Sequence, residues 1–460
     1  MQIQKYYYLI CATVLLSACA TRPINPAIDH VTLDKGYRFS HPTKIPKQDP
    51  ETLLMLAFSG GGTRASAFSY GVLEALRATP IEGKAGATSM LDEVDYITGV
   101  SGGSFTALAY GLYGEKIFDQ YESRFLKRDV QGTSFGKWLN PINWPNLWQL
   151  NYSRSEMSQD YYDEILFNNA TFADLEKKGG PRILVSATEA STGYRFTFNQ
   201  DFFDLICSDL SQVKLSRAAV SSSAVPIIFN PVTFHNYGKQ CGENIPAWAE
   251  EALKKTSTNS DLPSRTLQRL RELKVLSDSE ERPYLHLADG GISDNLGARI
   301  ILELLETLPV LQAERESKGA PPLRNIAFII VNSLSYPKVN WGKSAVPPSE
   351  VGMAMRAMGT PIDQYSYETI SLIEDIAKSI NKSPQLQGKL NGQAGLPINV
   401  TPIVLSFMQV ADEKERDYFN NLPTSFRLAE EEVDQLRKLG GVLLKGSTQY
   451  KNLIKQLQAK

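Results

Sequence analysis

The chain has 460 residues, and 42% of them are hydrophobic, so it can bury the core of one large domain or of two. Its formal net charge is -2, and no block of like charge stands out in the sequence. We therefore expect no nucleic-acid partner, because a protein that binds nucleic acid carries a basic patch.

The N-terminus is typical of a bacterial export signal. Lys5 supplies a positive charge, and the apolar run from Tyr6 to Leu16 is too short for a membrane span, which needs about 20 residues. The run Leu16-Ser17-Ala18-Cys19 resembles the lipobox of bacterial lipoproteins, which implies removal of residues 1–18 and membrane contact through a lipidated Cys19. By resemblance to enteric lipoproteins, Ala20 favours delivery to the outer membrane of the bacterial cell envelope. The alternative is an ordinary signal peptide with a chance cysteine.

Residues 19–50 are predicted to form a tether that lifts the folded body off the membrane. They are polar and rich in proline, a composition that favours a linker over a packed element. The body then covers residues 51–460.

The body begins with elements that alternate between strand and helix. Leu53–Phe58 is a continuous apolar run of strand length, and apolar residues from Phe68 to Leu76 show helical spacing. A second apolar strand, Val94–Thr98, is followed by helical spacing from Phe105 to Leu112. This order predicts an α/β fold with a mostly parallel sheet whose two faces are covered.

Further strands and helices are predicted along the rest of the chain. Thr360-Pro361, a cap residue followed by proline, marks the start of one helix. The predicted strands are Ile183–Thr188, Tyr194–Phe198, Ile227–Phe234, Leu285–Ala288, Ile326–Asn332 and Pro402–Val410, and the predicted helices are 160–167, 246–255, 263–276, 361–380 and 428–445.

Two glycine-rich turns carry the chemistry of the body, and each lies between an apolar run and a helical pattern. Residues 99–103 form a G-x-S-x-G nucleophile elbow, in which Ser101 on a strained strand-to-helix turn projects its hydroxyl. In the earlier turn, Gly60, Gly61 and Gly62 allow a close backbone approach and can direct their N–H groups at an oxyanion. Together the turns indicate a serine acyl hydrolase.

The base that activates Ser101 is predicted to be Asp289. A triad of the α/β-hydrolase kind places its histidine last, but the final 174 residues contain no histidine. Asp289 ends an apolar run, and a direct Ser–Asp pair fits better than a triad. A triad through His235 or His286 is the alternative, although His286 lies three residues before Asp289 on a predicted strand and is expected to face the other way.

These motifs resemble those of the patatin-like phospholipase family over roughly residues 52–300. The family's oxyanion motif G-G-G-x-[KR]-G matches Gly60, Gly61, Gly62 and Arg64, with Ala65 in place of the last glycine. Two further motifs match without departure: G-x-S-x-G at Gly99, Ser101 and Gly103, and D-G-[GA] at Asp289, Gly290 and Gly291. Residues 218–226 resemble the family's small-residue helix that ends in proline.

The resemblance implies a three-layer α/β/α fold with a mostly parallel central sheet and helical insertions, a core at about 52–300 and a C-terminal extension at 301–460. It implies an enzyme without metal or cofactor, in which Ser101 is the nucleophile, Asp289 is the base and the substrate is an acyl ester of a lipid. Arg64 is expected to brace the oxyanion turn rather than to bind a phosphate headgroup. A catalytically silent lipid-binding or scaffold lipoprotein on the same fold is the alternative.

Two segments look like insertions. Residues 236–282 are polar and charged, and residues 130–155 hold Trp138, Trp144 and Trp148. Because tryptophan suits apolar–polar boundaries, these three are expected either to form an interfacial patch, to line an acyl channel or to pack the insertion onto the body.

Two cysteines remain once Cys19 and the signal peptide are set aside. In an oxidising compartment, Cys207 and Cys241 are expected either to form a disulfide or to stay as two buried thiols. Their spacing alone favours neither.

Overall fold

The structure is a computed structural model and describes residues 24–39, 49–81, 89–149, 152–242, 245, 253, 264–336, 341–384 and 397–458. The predicted signal peptide and Cys19 lie outside the described residues, as does almost all of the predicted helix at 246–255. The predicted tether is wrong over residues 24–39, which pack on the body: Tyr37 is buried in the apolar core, and Arg38 pairs with Asp201 and Asp204. Within the described ranges, no helix is both long and apolar enough to cross a membrane.

A mostly parallel sheet forms the centre of the fold. Its first strand is buried at every position, as expected of a parallel strand that is covered on both faces. The strands are β1 Thr52–Phe58, β2 Val94–Val100, β3 Arg182–Glu189, β4 Arg195–Phe198, β5 Val232–His235, β6 Tyr284–Ala288, β7 Asn325–Asn332 and β8 Asn399–Ser406.

The order of the strands brings the two glycine turns together. It is β5-β6-β3-β2-β1-β7-β8, with β4 paired to β3. The pairs β1–β2, β1–β7, β2–β3 and β7–β8 are parallel, whereas β3–β4, β3–β6 and β5–β6 are antiparallel. At the carboxyl ends of the central strands, Phe58 of β1 lies opposite Gly99 of β2, so both turns leave the same edge of the sheet.

Helices flank this sheet. Two five-residue π-helical turns, Glu122–Leu126 and Asp163–Phe167, continue helices that precede them. The helices are α1 Gly62–Arg77, α2 Gly102–Tyr113, α3 Ile117–Tyr121, α4 Val130–Leu139, α5 Trp144–Leu147, α6 Arg154–Tyr162, α7 Phe172–Lys178, α8 Gln200–Leu205, α9 Leu215–Ser222, α10 Ser264–Ser277, α11 Gly291–Asp294, α12 Arg299–Ser317, α13 Glu350–Lys382, α14 Glu413–Asn421, α15 Glu430–Gly446 and α16 Thr448–Gln458.

Alternation along β1 divides the apolar core between two layers of helices. Leu54 and Leu56 belong to a core that also includes side chains of α1, α2, α15 and α16. Met55 and Ala57, which point to the other face, belong to a second core with α12 and α13. The predicted three-layer α/β/α fold is therefore confirmed.

Four predicted elements have the wrong bounds. The helix expected at 160–167 already begins at Arg154, and its last five residues form the π-helical turn Asp163–Phe167. The strand expected from Ile227 begins only at Val232, because Ile227 has a positive φ of 75° and Pro231 can donate no ladder hydrogen bond. The strand expected to reach Val410 ends at Ser406.

The helix expected to start at Thr360-Pro361 begins eleven residues earlier, at Glu350, with Ser349 as its cap and Pro361 in its interior. The buried residues Ile373 and Ala377 anchor this long helix to the second core, so packing outweighs the hydrogen bond that Pro361 lacks.

The C-terminal extension belongs to the same body as the core. It contributes β7 and β8 to the sheet, and its helix α15 packs directly on α1. Glycine allows this approach: a Cβ at Gly71 of α1 would lie 2.0 Å from the carbonyl oxygen of Arg437, and one at Gly440 of α15 would lie 2.6 Å from that of Phe68. The segment just before α15 is thereby fixed beside the first glycine turn.

Candidate active site

The nucleophile elbow forms where β2 ends and α2 begins. Ser101 has φ 48° and ψ -122°, a conformation that a residue with a side chain rarely adopts. The flanking glycines are required by close packing, since a Cβ at Gly103 would lie 2.5 Å from the carbonyl oxygen of Phe58 and one at Gly99 would lie 2.7 Å from the Cα of Ser104. The elbow thus holds the Ser101 side chain at the edge of the sheet above β1 and β2.

Two serines, Ser222 of α9 and Ser104 of α2, hold the backbone of the elbow. The N–H of Ser101 donates to the hydroxyl of Ser222 at 2.8 Å, and that hydroxyl donates to the carbonyl oxygen of Ser186 at 2.6 Å. The hydroxyl of Ser104 donates to the carbonyl oxygen of Ser101 at 2.6 Å. Ser222 ends α9, the small-residue helix noted in the sequence, but its pattern gave no sign of this role.

Asp289 comes from the carboxyl end of β6 and reaches the same edge. Burial raises its pKa from 3.8 to about 6, while hydrogen bonds from the Gly291 N–H and the Ser101 hydroxyl act in the opposite direction. The Gly291 N–H donates to one carboxylate oxygen at 2.8 Å. Gly290 fits between strands, because a Cβ there would lie 2.2 Å from the carbonyl oxygen of Ser186. The structure therefore brings Asp289 to the edge of the sheet that carries Ser101, close enough for the Ser101 hydroxyl to lower the pKa of the carboxyl.

The first glycine turn uses one of its three N–H groups in a hydrogen bond within the protein and leaves two without an acceptor among the described residues. The N–H of Gly60 donates to the carbonyl oxygen of Asn295 at 2.9 Å, so it cannot serve as the oxyanion donor that the sequence suggested. Gly61 and Gly62 have φ of 140° and 61°, and their N–H groups donate to no acceptor among the described residues. These two amides at the start of α1, where the helix dipole is positive, are the candidate oxyanion donors.

Gly102 is a further candidate donor that sequence reasoning missed. It is the first residue of α2, and a Cβ there would lie 2.0 Å from the carbonyl oxygen of Gly62, so two helix N-termini meet beside Ser101. The amide after the nucleophile commonly contributes to an oxyanion hole in elbow enzymes. The sequence could have indicated this role, because Gly102 directly follows the nucleophile Ser101.

Arg64 braces the first glycine turn from within the protein. Its guanidinium donates to the carbonyl oxygens of Ser333 at 3.0 Å and Leu422 at 2.6 Å, and to the Thr424 hydroxyl at 2.9 Å. Burial lowers its pKa to about 10, so the group still carries its charge at neutral pH. A side chain held in this way is not directed at a phosphate headgroup. The N–H of Thr63 also donates to the carbonyl oxygen of Ser425 at 2.8 Å.

Asn295 joins the two halves of the site and was not predicted. Besides accepting from Gly60, it places its side-chain oxygen 2.5 Å from where a Gly60 Cβ would lie and 2.9 Å from where a Gly291 Cβ would lie. Any side chain at either glycine would displace it. Asn295 thus fixes the spacing between the oxyanion turn and the loop that carries Asp289.

A narrow apolar pocket opens beside the nucleophile. Its volume is about 60 Å³, which is room for only a few water-sized groups. Phe135 and Ile228 in its lining are partly exposed, at 36% and 37%, so they lie toward its mouth. The lining includes Gly62, Ser101, Trp138, Tyr162, Phe229 and Phe426. This shape and lining suit a hydrocarbon chain attached to a group that reaches Ser101.

The three tryptophans of residues 130–155 have different places. Trp138 is 8% exposed, lines the pocket and packs edge-to-face on Phe229 with ring centroids 5.2 Å apart. Trp144 and Trp148 are 42% and 76% exposed. One member of the cluster therefore belongs to the pocket and two lie at the surface.

The histidines considered for a triad have other partners. The Nδ1 of His286, which is exposed, lies 3.0 Å from the Thr233 hydroxyl on the neighbouring strand β5. The ring of His235 stacks on Tyr237, with centroids 4.4 Å apart. In the part of the chain that the structure describes, neither histidine forms a hydrogen bond with Ser101 or Asp289.

Cys207 and Cys241 lie away from the catalytic edge. They are joined as a disulfide with a Cα–Cα distance of 5.5 Å, and it ties the end of α8 to the start of the 236–282 segment. The described residues contain no group of three or more His, Cys, Asp or Glu side chains placed to hold a metal ion.

A sequence model of the family described as patatin-like phospholipase matches residues 56–302 of this chain. The chain belongs to this family. The matched span includes both glycine turns and Asp289. It also includes Arg64, but the three groups that accept hydrogen bonds from Arg64, on Ser333, Leu422 and Thr424, lie beyond it. A search of curated proteins finds no significant match.

Solved structures with a similar arrangement include two of human GIVD cytosolic phospholipase A2. The complex with methyl gamma-linolenyl fluorophosphonate is 12% identical, with a TM-score of 0.40, and covers 89% of this chain and 59% of that one. A second structure of that protein is 13% identical, with a TM-score of 0.38 and coverage of 89% and 63%. The type III effector protein ExoU is 13% identical, with a TM-score of 0.21 and coverage of 89% and 82%. This chain spans less than two thirds of the cytosolic phospholipase A2 chains.

Proposed function

We propose that the chain is a serine hydrolase of lipid acyl esters that works through a Ser101–Asp289 dyad. The observation that carries this proposal is that the buried carboxyl of Asp289 lies beside Ser101 on its strained elbow. Ser222 ties the two segments together, since its hydroxyl accepts from the Ser101 N–H and its carbonyl oxygen accepts from the Gly290 N–H. Membership of the patatin-like phospholipase family supports a lipid ester as the substrate class.

In the first step, the Ser101 oxygen attacks the ester carbonyl carbon and its proton passes to the Asp289 carboxylate. The carbonyl π-bond electrons become an oxyanion, which faces the N–H groups of Gly61 and Gly62. Removing one such donor from an oxyanion hole typically costs about 3–4 kcal/mol of barrier. A carboxyl whose pKa is about 6 accepts a proton more readily than an ordinary aspartate, which supports Asp289 as the base.

In the second step, the intermediate collapses, the bond to the leaving alcohol breaks, and that alcohol takes the proton from Asp289. The acyl group is now an ester of Ser101. Water then attacks this acyl-enzyme and gives its proton to Asp289. The second collapse releases the fatty acid and returns the proton to the Ser101 oxygen.

The substrate is proposed to be a phospholipid or a related acylglycerolipid whose acyl chain enters the apolar pocket. Trp138, Phe229 and Phe426 supply an apolar lining up to Ser101. A long chain needs more room than the pocket has, so the exposed side chains Phe135 and Ile228 must move when it enters. We place the enzyme on the bacterial cell envelope, anchored in the outer membrane by a lipidated Cys19.

A fluorophosphonate probe tests the nucleophile. The full chain should be labelled covalently, and Ser101→Ala should lose both the label and the hydrolysis of a short-chain ester, because only the Ser101 oxygen can attack the probe. Ser69→Ala is the matched control: Ser69 is buried in α1, and its hydroxyl has no hydrogen-bond partner among the described residues. That variant should be labelled like the wild type.

Failure of this test has two forms. A wild-type chain that takes no label and cleaves no ester would identify a silent lipid-binding protein on the patatin-like fold. Labelling that persists in Ser101→Ala would assign the nucleophile to another residue. Circular dichroism of each variant shows that a lost activity does not reflect a lost fold.

A further inference from the structure

We propose that an exposed apolar surface at the mouth of the pocket docks the protein on a phospholipid surface with anionic headgroups. This mouth patch consists of Leu139, Ile142, Trp144, Trp148 and Ile227. The inference deepens the proposed function, since it concerns how a membrane lipid reaches Ser101. It does not depend on turnover, because docking is measured separately below.

The mouth patch collects large apolar side chains that are strongly exposed. Leu139, Ile142 and Trp148 are 75%, 80% and 76% exposed, and all three lie within ten residues of one another. Trp144 packs against Trp148, with ring centroids 6.2 Å apart, so their exposed faces form one surface. Contiguous exposed apolar surface of this kind marks a site for a protein or membrane partner.

The mouth patch is continuous with the pocket lining. Leu139 follows Trp138, which lines the pocket and packs against Phe229, and Leu147 of α5 packs against the same cluster. From the other side, Ile227 precedes Ile228 and Phe229 of the lining. The exposed side chains therefore belong to the same short segments as the lining that reaches Ser101, which is where a lipid leaving a membrane would arrive.

Backbone strain holds one member of the mouth patch outward. Ile227 has φ 75°, which is strongly disfavoured for a β-branched residue, yet its side chain is 70% exposed. The side chain gains no burial in return within the protein. Such a conformation is consistent with a side chain whose apolar contact is supplied by a partner.

Two cations lie beside the mouth patch, and one of them, Arg154, has no carboxylate partner among the described residues. Residues 130–155 contain Lys137 and Arg154 and no carboxylate. Arg154 lies over the Trp138 ring at 5.7 Å and donates only to uncharged oxygens, those of Asn230 and Ile227, among the described residues. It is thus a cation beside the pocket mouth without a carboxylate partner in that part of the chain.

Carboxylates near this region come from the cap of α4, from α6 and from the π-helical turn after it. Asp129 pairs with Arg427 at 3.3 Å, and Glu156 lies 3.8 Å from Arg217. Glu164 pairs with Lys137 at 3.3 Å, but both groups are exposed and such a pair is worth little. Asp160 accepts a hydrogen bond from the Tyr152 hydroxyl at 2.7 Å. Tryptophan beside lysine or arginine is the composition of protein surfaces that lie at a membrane interface with anionic lipids.

Tryptophan quenching tests the contact directly. The full chain is mixed with vesicles of phosphatidylcholine and phosphatidylglycerol whose acyl chains are brominated, and quenching of its fluorescence is measured. The double variant Trp144→Phe/Trp148→Phe should lose most of the quenching. Trp341→Phe is the matched control, because Trp341 is also 36% exposed but lies outside the mouth patch, and it should retain the quenching. A lipid anchor at Cys19 acts equally in all variants.

A second measurement separates docking from chemistry. Leu139→Ser/Ile142→Ser/Trp148→Ser should lower hydrolysis of vesicle phospholipid at least tenfold and leave hydrolysis of a soluble short-chain ester unchanged, because these residues do not line the pocket. A control with Val310→Ser and Tyr367→Ser, which are 69% and 65% exposed elsewhere, should retain both activities.

The outcomes distinguish this inference from the proposed function. Quenching without any ester hydrolysis would uphold docking and refute the enzyme. No quenching in the wild type, or equal quenching in the double variant, would refute docking. If the wild type instead dimerises in solution through the mouth patch and shows no quenching, a second copy of the chain is the occupant and the inference is wrong.

Discussion

Replacing Asp289 by asparagine should stabilise the fold at pH 8 while abolishing catalysis. Burial raises the pKa of this carboxyl from 3.8 to about 6, a difference of about two units. At about 1.4 kcal/mol per unit, the charged form costs the folded state about 3 kcal/mol. Asparagine has the same shape, carries no charge and keeps an oxygen to accept from the Gly291 N–H, which now donates at 2.8 Å. We expect the free energy of unfolding to rise by up to about 3 kcal/mol.

How the stability gain of Asp289→Asn depends on pH shows whether the gain comes from removing a buried charge or from improved packing. Because the folded pKa is raised, the native carboxyl takes up its proton near pH 6, whereas the unfolded carboxyl does so near pH 3.8. Between these values the native state binds more protons, so the wild type becomes more stable as the pH falls. The advantage of Asp289→Asn should therefore be full above pH 7, shrink through pH 6 and vanish below about pH 4.

Urea unfolding at pH 8, 6 and 4.5 measures the difference in free energy of unfolding between Asp289→Asn and the wild type. All samples should share one slope m, so that a shift of the midpoint reports stability alone. Glu189→Gln is the control, because burial opposes its charge but hydrogen bonds from Ser191 and Thr192 outweigh burial and lower its pKa. That variant should be less stable than the wild type at pH 8. A gain for Asp289→Asn that is the same at pH 8 and pH 4.5 would refute the reasoning.

Three further predictions concern groups outside the Ser–Asp pair. His235→Ala and His286→Ala should each keep steady-state ester hydrolysis within about tenfold, or 1.4 kcal/mol of barrier; a histidine variant as inactive as one without the nucleophile would require a triad. Cys19→Ser should leave an unlipidated precursor, and mass spectrometry of a mature wild-type N-terminus without lipid on Cys19 would disprove anchoring. Cys207 and Cys241 should resist thiol labelling in the exported protein, and their loop should stabilise the fold by about 3–4 kcal/mol; finding both thiols reactive would contradict the disulfide.

The sequence predicted best those parts of the site that depend on short, local backbone requirements. A serine between two glycines, directly after an apolar strand, is needed for a turn in which Gly103 touches the carbonyl of Phe58. The apolar runs Leu53–Phe58 and Val94–Thr98 likewise predicted strands that the structure places side by side. In these places the backbone conformation depends on only a few neighbouring residues, so the sequence pattern predicts it without knowledge of the fold.

The parts that the sequence could not predict depend on contacts between distant segments. The N–H of Gly60 is used by Asn295, which comes from a loop more than two hundred residues later, so no local pattern could remove Gly60 from the oxyanion donors. Ser222 likewise acts on Ser101 from another helix, across 121 positions. The start of α13 at Glu350 was missed because Pro361 is locally a helix-start signal, and only burial of the later turns overrides it.

The clamp at Arg64 has a consequence for the timing of activity. The Thr424 hydroxyl that holds its guanidinium is synthesised 360 residues after Arg64 itself. A nascent chain that already carries Ser101 and Asp289 therefore still lacks the groups that fix the turn of Gly61 and Gly62. We expect chains that end before residue 424 to lack ester hydrolysis, although they carry both Ser101 and Asp289.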